Sequence, residues 1–165
     1  MCTPARRQFL GHLGRSTLIP LLPPTLAAVL SACREDRDLA PGMAPIRFDR
    51  DTCVRCSMVI SDLRFAGQIR GGPQDTAFRF DDIGCLVFWL RDQAATHPWM
   101  ADAATRIWVA EATSTPGAMR WLDPRQAHFV RKMSPMGYNF AALAQAEAGS
   151  LDFAGMRERV LAKGK

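Results

Sequence analysis

The spacing of apolar residues changes from that of a strand to that of a helix at two adjacent aspartates, Asp81 and Asp82. Before them, Thr76-Ala77-Phe78-Arg79-Phe80 alternates with the two-residue period of a half-buried strand. After them, apolar residues recur at helical spacing, at Ile83, Leu86, Val87 and Leu90. Because aspartate is a good N-cap, this stretch predicts a strand over 76–80 and an amphipathic helix over 83–96.

Further strands are predicted before and after this strand and helix, and together they form a small unit. Residues 64–70 and 106–110 have the composition of strands, and Gly71-Gly72-Pro73 predicts a turn between 64–70 and 76–80. The order strand, strand, helix, strand defines a first unit over residues 51–112. The predicted fold class is therefore α+β.

The rest of the chain, residues 119–165, has weaker patterns and predicts a second small unit. Its candidate strands are 127–131 and 139–144, and its candidate helix is 151–162. This order begins to repeat that of the first unit, so we expect two small strand-strand-helix-strand units.

A run of sulfur ligands precedes the first unit's strands, in Asp51-Thr52-Cys53-Val54-Arg55-Cys56-Ser57-Met58. Thiolates and thioethers favour soft ions, Cu(I) above all. A Cys-x-x-Cys pair alone could equally be half a zinc site, a redox pair or a disulfide. Met58 favours copper, because zinc sites are built from Cys, His and carboxylate ligands, although a methionine often only fills a core.

Two further sulfur atoms are candidates. Met136 lies in Ser134-Pro135-Met136-Gly137, a turn that could hold its thioether in one direction or simply bury it. Cys85 lies in the first turn of the predicted helix, where a thiol pKa is lowered. It is a possible secondary ligand, but a small buried side chain is the favoured interpretation.

Other chemistries have little support. His97 and His128 have no acidic partner at ligand spacing, so each is expected to be structural, and no phosphate loop or nucleophile–base set is present. A thiol–disulfide oxidoreductase using Cys53 and Cys56 is the alternative function, and Arg55 would help to lower a thiolate pKa there. Against it, the motif precedes a strand instead of starting a helix. A structural zinc site with Cys85 and a histidine is a weaker alternative.

Residues 1–33 are predicted to be an export signal. Arg6-Arg7-Gln8-Phe9-Leu10 resembles a twin-arginine motif, and the apolar run that follows is too short for a transmembrane helix. The run ends in Leu30-Ser31-Ala32-Cys33, which resembles a bacterial lipoprotein box. We expect Cys33 to be lipidated and residues 34–50 to be a flexible tether on the periplasmic side of the membrane. An ordinary secretory cleavage is the alternative.

Charge and cysteine count narrow the function further. All 16 acidic residues but only 18 of the 21 basic ones follow Cys33, so that part carries a net charge of +2. No basic patch with interleaved aromatic residues indicates nucleic-acid binding. Three cysteines remain after Cys33, an odd number for a disulfide framework in an oxidising compartment.

Four features together resemble the NosL family of copper-binding lipoproteins. They are the box at Cys33, Cys53-x-x-Cys56-x-Met58, Phe80-Asp81-Asp82-Ile83-Gly84-Cys85, and Pro135-Met136-Gly137. The family pattern usually has Gly where this chain has Ser57, and often Pro where it has Val54.

The resemblance implies a fold similar to that of the organomercurial lyase and a non-enzymatic, periplasmic Cu(I) metallochaperone. It implies copper ligands at Cys53, Cys56, Met58 and Met136. The expected recipient is nitrous oxide reductase or one of its assembly factors.

Overall fold

The structure is a computed structural model that describes residues 38–164 of the chain. Its elements are β1 (Gly67–Gly71), β2 (Thr76–Phe80), α1 (Ile83–Asp92), a short 3₁₀ turn (Pro98–Ala101), β3 (Arg106–Ala110), β4 (Trp121–Leu122), β5 (His128–Arg131), β6 (Phe140–Leu143) and α2 (Phe153–Ala162). The strands form a four-stranded antiparallel sheet in the order β2-β1-β3-β4 and a separate hairpin of β5 and β6. The predicted α+β class is confirmed.

Helix α1 begins where the aspartate pair predicts. The Asp82 side chain accepts the Gly84 N–H at 2.8 Å and caps the helix. Glycine is also required at position 84, because a side chain there would overlap the ring of Tyr138. The first turn of α1 is therefore fixed by its cap and lies directly against the segment before β6.

One hydrophobic core joins the sheet, both helices and the hairpin. Buried side chains from all of these elements contact one another: Ile69, Phe80, Ile83, Leu86, Phe88, Val109, Phe129, Tyr138, Phe140, Met156 and Val160. A parallel bridge between Glu111 and Ala142 also links the end of β3 to β6. The core and this bridge therefore join residues 51–112 to residues 119–164 in one packed body.

The observed bounds agree with the strand predictions at 76–80 and 106–110 and differ elsewhere. Strand β1 begins at Gly67 instead of residue 64, and α1 ends at Asp92 instead of residue 96. In the second half, β4 pairs with β3 of the four-stranded sheet, and no strand follows α2 among the described residues. The repeat of a complete strand-strand-helix-strand unit is thus not found within the described range.

The segment 38–50, predicted as part of a flexible tether, is packed against the body of the protein. Met43 is buried, Ala44 exchanges two hydrogen bonds of 2.8 Å with the Gln68 side chain, and the Trp121 indole N–H donates to the Asp38 carbonyl at 2.7 Å. The predicted signal over 1–33, its Cys33 and residues 34–37 lie outside the described residues. Within the described part, no helix has the length and apolar character needed to cross a bilayer.

Candidate metal centre

The cysteine motif forms a tight loop closed by backbone hydrogen bonds. Thr52 and Val59 form an antiparallel bridge, and the Cys53 N–H donates to the Met58 carbonyl at 2.8 Å. Inside the loop, the Ser57 N–H donates to the Cys53 carbonyl at 2.9 Å. Ser57 has a φ of 62°, in the left-handed region that glycine adopts most easily. Serine therefore takes, at this position, a conformation in which glycine would be less strained.

The loop is attached to the edge of the sheet next to the start of α1. The Val54 N–H donates to the Arg79 carbonyl of β2, the edge strand, at 3.0 Å. Since α1 follows β2 after only two residues, this contact brings the loop to the helix turn that carries Cys85.

Three thiols consequently converge. The sulfur atoms of Cys53, Cys56 and Cys85 all lie within 4.8 Å of one another, and none is in a disulfide. Three sulfurs that each lie about 2.3 Å from a shared ion, a usual metal–thiolate distance, would be about 4 Å apart. The spacing therefore suits one bound ion. Cys53 and Cys85 are buried, whereas Cys56 is half-buried and marks the accessible side of the cluster.

Hydrogen bonds favour the thiolate form of Cys53. The Cys85 thiol donates to it, and this bond is the main reason that the pKa of Cys53 falls to about 5, against the opposing effect of burial. The backbone N–H groups of Cys56, Asp81 and Arg55 also donate to the Cys53 sulfur. The same thiol–thiolate bond, together with burial, raises the pKa of Cys85. Burial is the main cause that raises the pKa of Cys56.

Two carboxylates lie beside the cluster. Asp82 is fully buried and accepts hydrogen bonds from Gly84 N–H at 2.8 Å, Ser134 Oγ at 2.6 Å and Met136 N–H at 3.0 Å. Burial raises its pKa despite these donors. Burial also raises the pKa of Asp81 to about 6, and its carboxylate accepts only a long bond of 3.4 Å from the Ser61 N–H among the described contacts.

The two predicted thioether ligands occupy different environments. Met58 is 56% exposed and ends the cysteine loop, and its N–H donates to the Cys56 sulfur. Met136 is half-buried against the core, in a turn closed by Gly137 N–H to Ser134 carbonyl at 3.0 Å. Its backbone is bonded to Asp82, so the turn lies at the helix start that also carries Cys85.

The histidines lie elsewhere. His97 stacks among Phe78, Trp89 and Trp99, with ring centroids 5.1–6.5 Å away, and His128 lies in β5 opposite Leu143. Among the described residues, one group of His, Cys, Asp or Glu side chains is close enough together to hold a metal ion, and its members are the three cysteines. A fourth ligand of the kind found in zinc sites is thus absent from that cluster.

Two of these residues have neighbours that the local sequence does not indicate. Cys85 is buried, as the favoured interpretation has it, and its sulfur also lies within 4.8 Å of both thiols of the loop. The available signal was its position in the first turn of a capped helix. Arg55 was considered only as an aid to a redox thiol. Its side chain instead reaches across α1, with Nη1 2.8 Å from the Tyr138 hydroxyl and the guanidinium carbon 4.4 Å from the centre of the Phe88 ring.

The fold and the cluster define a class: a small α+β domain in which a cysteine loop and a helix N-terminus form a candidate soft-metal site. The family model named NosL matches residues 45–157, more than half of the chain, so the chain belongs to the NosL family. The expected family is thereby confirmed.

A solved structure supports the fold. The crystal structure of the copper chaperone NosL from Shewanella denitrificans is similar, with a TM-score of 0.50 and 18% sequence identity, and the match covers 73% of this chain and 89% of that chain. At this identity the likeness concerns the fold. Among curated proteins, none matched the sequence.

Proposed function

We propose that this protein binds Cu(I) through Cys53 and Cys56, with Met58 and Met136 as thioether ligands and Cys85 as a secondary thiolate, no more than four of these sulfurs binding at once, and passes the ion on. The observation that carries the proposal is the convergence of three free thiols within 4.8 Å. A sulfur-only donor set suits Cu(I) better than harder ions. The similar NosL of known structure is described as a copper chaperone, which supports the choice of metal.

The burial of the ligands gives the site an inner and an outer side. Cys53 and Cys85 are buried, while Cys56 is half-buried and Met58 is 56% exposed. An incoming donor atom from a recipient would meet Met58 and Cys56 first and could bind copper before Cys53 releases it. The arrangement therefore supports transfer as well as storage.

We also propose that the protein acts on the periplasmic side of the membrane, held there by lipidated Cys33, and that it supplies copper for nitrous oxide reductase or its assembly factors. Support comes from the lipoprotein box and from membership of the NosL family. Replacing Cys33 by Ser tests the anchor. The variant should leave the membrane fraction or keep its signal, whereas fractionation and migration identical to the wild type would contradict lipidation.

The binding proposal is tested by anaerobic titration of reduced protein against a colorimetric Cu(I) chelator. We expect about one Cu(I) per chain, a thiolate-dependent site, and strong loss of affinity in Cys53→Ser and Cys56→Ser. His97→Ala and His128→Ala are the controls and should bind as the wild type does. Unchanged affinity in both cysteine variants would refute the proposed site.

A thiol–disulfide oxidoreductase is the second candidate, and the low pKa of Cys53 is the observation in its favour. Yet Cys53 is only 1% exposed, and the more accessible Cys56 has a raised pKa, whereas a reactive redox cysteine needs both exposure and thiolate character. We therefore expect negligible insulin reduction. Robust turnover that survives replacement of Met58 would favour the enzyme.

A further inference from the structure

Arg55 is a half-buried cation within the cysteine loop. It lies between Cys53 and Cys56 in sequence, and its side chain is only 20% exposed. The guanidinium is held by the Tyr138 hydroxyl at 2.8 Å and by the face of Phe88 at 4.4 Å. These contacts fix both the position and the orientation of the charge.

This fixed charge lies against the cluster. Phe88 follows Cys85 by three residues on α1, so the two side chains share one helix face. The Arg55 guanidinium over that face is within hydrogen-bonding reach of the Cys85 sulfur. The charge therefore lies next to Cys85, one member of the three-thiol cluster.

One neighbouring carboxylate is shared between Arg55 and a second arginine. Asp92 approaches Arg55 Nε at 3.8 Å, but the same carboxylate is bound more closely by Arg91, at 2.6 Å. Asp81 and Asp82, at the start of α1, add negative charge near Cys53. Arg55 is thus the basic side chain that contacts a ligand sulfur among the described interactions.

The consequence concerns the charge of the bound ion. On any one set of thiolates, the Cu(I) complex is one unit more negative than the complex with a divalent ion, and neutral thioether ligands do not alter this difference. A fixed cation beside the sulfurs stabilises the more negative complex more strongly. This preference for the Cu(I) complex is large only where the cation is shielded from solvent, and the Arg55 side chain is 20% exposed.

We propose that Arg55 determines metal specificity, because its fixed guanidinium favours a monovalent ion over divalent ions at the three-thiol site. The inference rests on the proposed function, since it assumes that the cluster binds metal. The thiolate ligands alone do not explain a preference for a monovalent ion, because they also bind soft divalent ions.

The test compares the affinities of Cu(I) and Cd(II), a soft divalent probe, in anaerobic chelator competitions on the reduced full chain. Arg55→Gln should lower the ratio of Cu(I) to Cd(II) affinity about tenfold. Arg55→Lys keeps the charge and should retain most of the ratio. If Arg55→Gln fails to fold, as judged by circular dichroism, Arg55→Met is used, since it keeps apolar packing over Phe88.

Two controls separate charge from structure. Arg91 also lies over the Phe88 ring, at 4.6 Å, but it binds Asp92, so Arg91→Gln leaves that carboxylate to Arg55 and should lower the ratio by clearly less than Arg55→Gln does. Tyr138→Phe removes the hydrogen bond and leaves the charge, so its ratio should change little. An unchanged ratio in Arg55→Gln, or an equal fall in Arg91→Gln, overturns the inference. Wild-type protein that binds no Cu(I) refutes the proposed function as well.

Discussion

The carboxylate of Asp82 accepts the Met136 backbone N–H at 3.0 Å, which fastens the predicted thioether turn to the start of α1. The same carboxylate caps the helix through Gly84 and accepts the Ser134 hydroxyl. Cys85 lies in that first helical turn. A single buried side chain therefore positions a thiol and a thioether that are far apart in sequence.

Replacing Asp82 by Ala should remove two buried hydrogen bonds and one partly buried one, and separate the Met136 turn from the helix. We expect a loss of about 3 kcal/mol or more in the free energy of unfolding, because buried donors are left without partners. Asp152 is a matched control, since it caps α2 through Gly155 at 2.8 Å in an exposed position. Asp152→Ala should cost about 1 kcal/mol.

Urea denaturation and Cu(I) competition together decide the role of Asp82. Copper affinity should fall in Asp82→Ala and stay unchanged in Asp152→Ala. Equal effects of the two variants on both measurements would reduce Asp82 to an ordinary helix cap.

Cys85→Ser should weaken Cu(I) binding by at least about tenfold, because losing a ligand should cost no less than losing a group that only supports a ligand. The loss should be comparable with that in Cys56→Ser, because both sulfurs lie in the same cluster. The measurement is a chelator competition, with melting curves of the metal-free proteins in parallel. Wild-type affinity in a folded Cys85→Ser protein would make Cys85 the buried packing residue that its sequence position first suggested.

The stability of the metal-free protein should depend on pH through Cys53. Its pKa is about 5 in the folded state and 9.0 for the unperturbed thiol, so its contribution is complete above pH 9 and is lost as pH falls towards 5. Across this window, stability should rise with pH by up to about 1.4 kcal/mol per unit. Above it, the raised pKa of Cys85 acts in the opposite direction, because that contribution is present below pH 9 and is lost at higher pH.

Chemical denaturation of reduced wild type and Cys53→Ser between pH 5 and 9 checks this dependence. The difference between the two proteins reports Cys53 together with the groups whose pKa it raises, among them Asp81 at about 6. Parallel curves would show that Cys53 is not a stabilised thiolate.

Ser57→Gly should stabilise the metal-free protein, because Ser57 has a φ of 62° and glycine adopts this conformation without steric cost. We expect a gain of about 0.5–1 kcal/mol in the free energy of unfolding, with copper affinity unchanged. Ser57→Val is the opposing control and should destabilise the loop. A loss of stability in the glycine variant would mean that the loop does not follow this backbone path.

Local patterns were sufficient for part of the fold. Strand alternation and the aspartate cap placed β2, β3 and the start of α1 correctly. The end of α1 was predicted too late, because residues 93–96 have helix-compatible composition but their apolar side chains, Ala94 and Ala95, are small and exposed. There the chain turns, with the His97 N–H donating to the Gln93 carbonyl at 2.8 Å.

The metal cluster was only partly predictable, because tertiary contacts assemble it. The motif identified Cys53 and Cys56, but nothing near them in sequence indicates that Val54 binds the edge of β2. That contact decides which helix the loop meets, and hence that Cys85 joins it. The contacts of Arg55 with Phe88 and Tyr138 depend on the same docking.

The last prediction separates thioether ligation from packing at Met58 and Met136. Met→Leu preserves volume and apolarity and usually costs less than about 1.5 kcal/mol, so the melting temperature of the metal-free protein should barely move. Copper affinity should fall in both variants, because each loses a sulfur donor. Met133→Leu is the matched control, since Met133 is 87% exposed and precedes the Met136 turn without belonging to the proposed ligand set. If Cu(I) competition gives the same affinity for all three variants and the wild type, copper is bound by thiolates alone. The thioether argument for copper over zinc then fails, and selectivity must come from the thiolates and the charge around them.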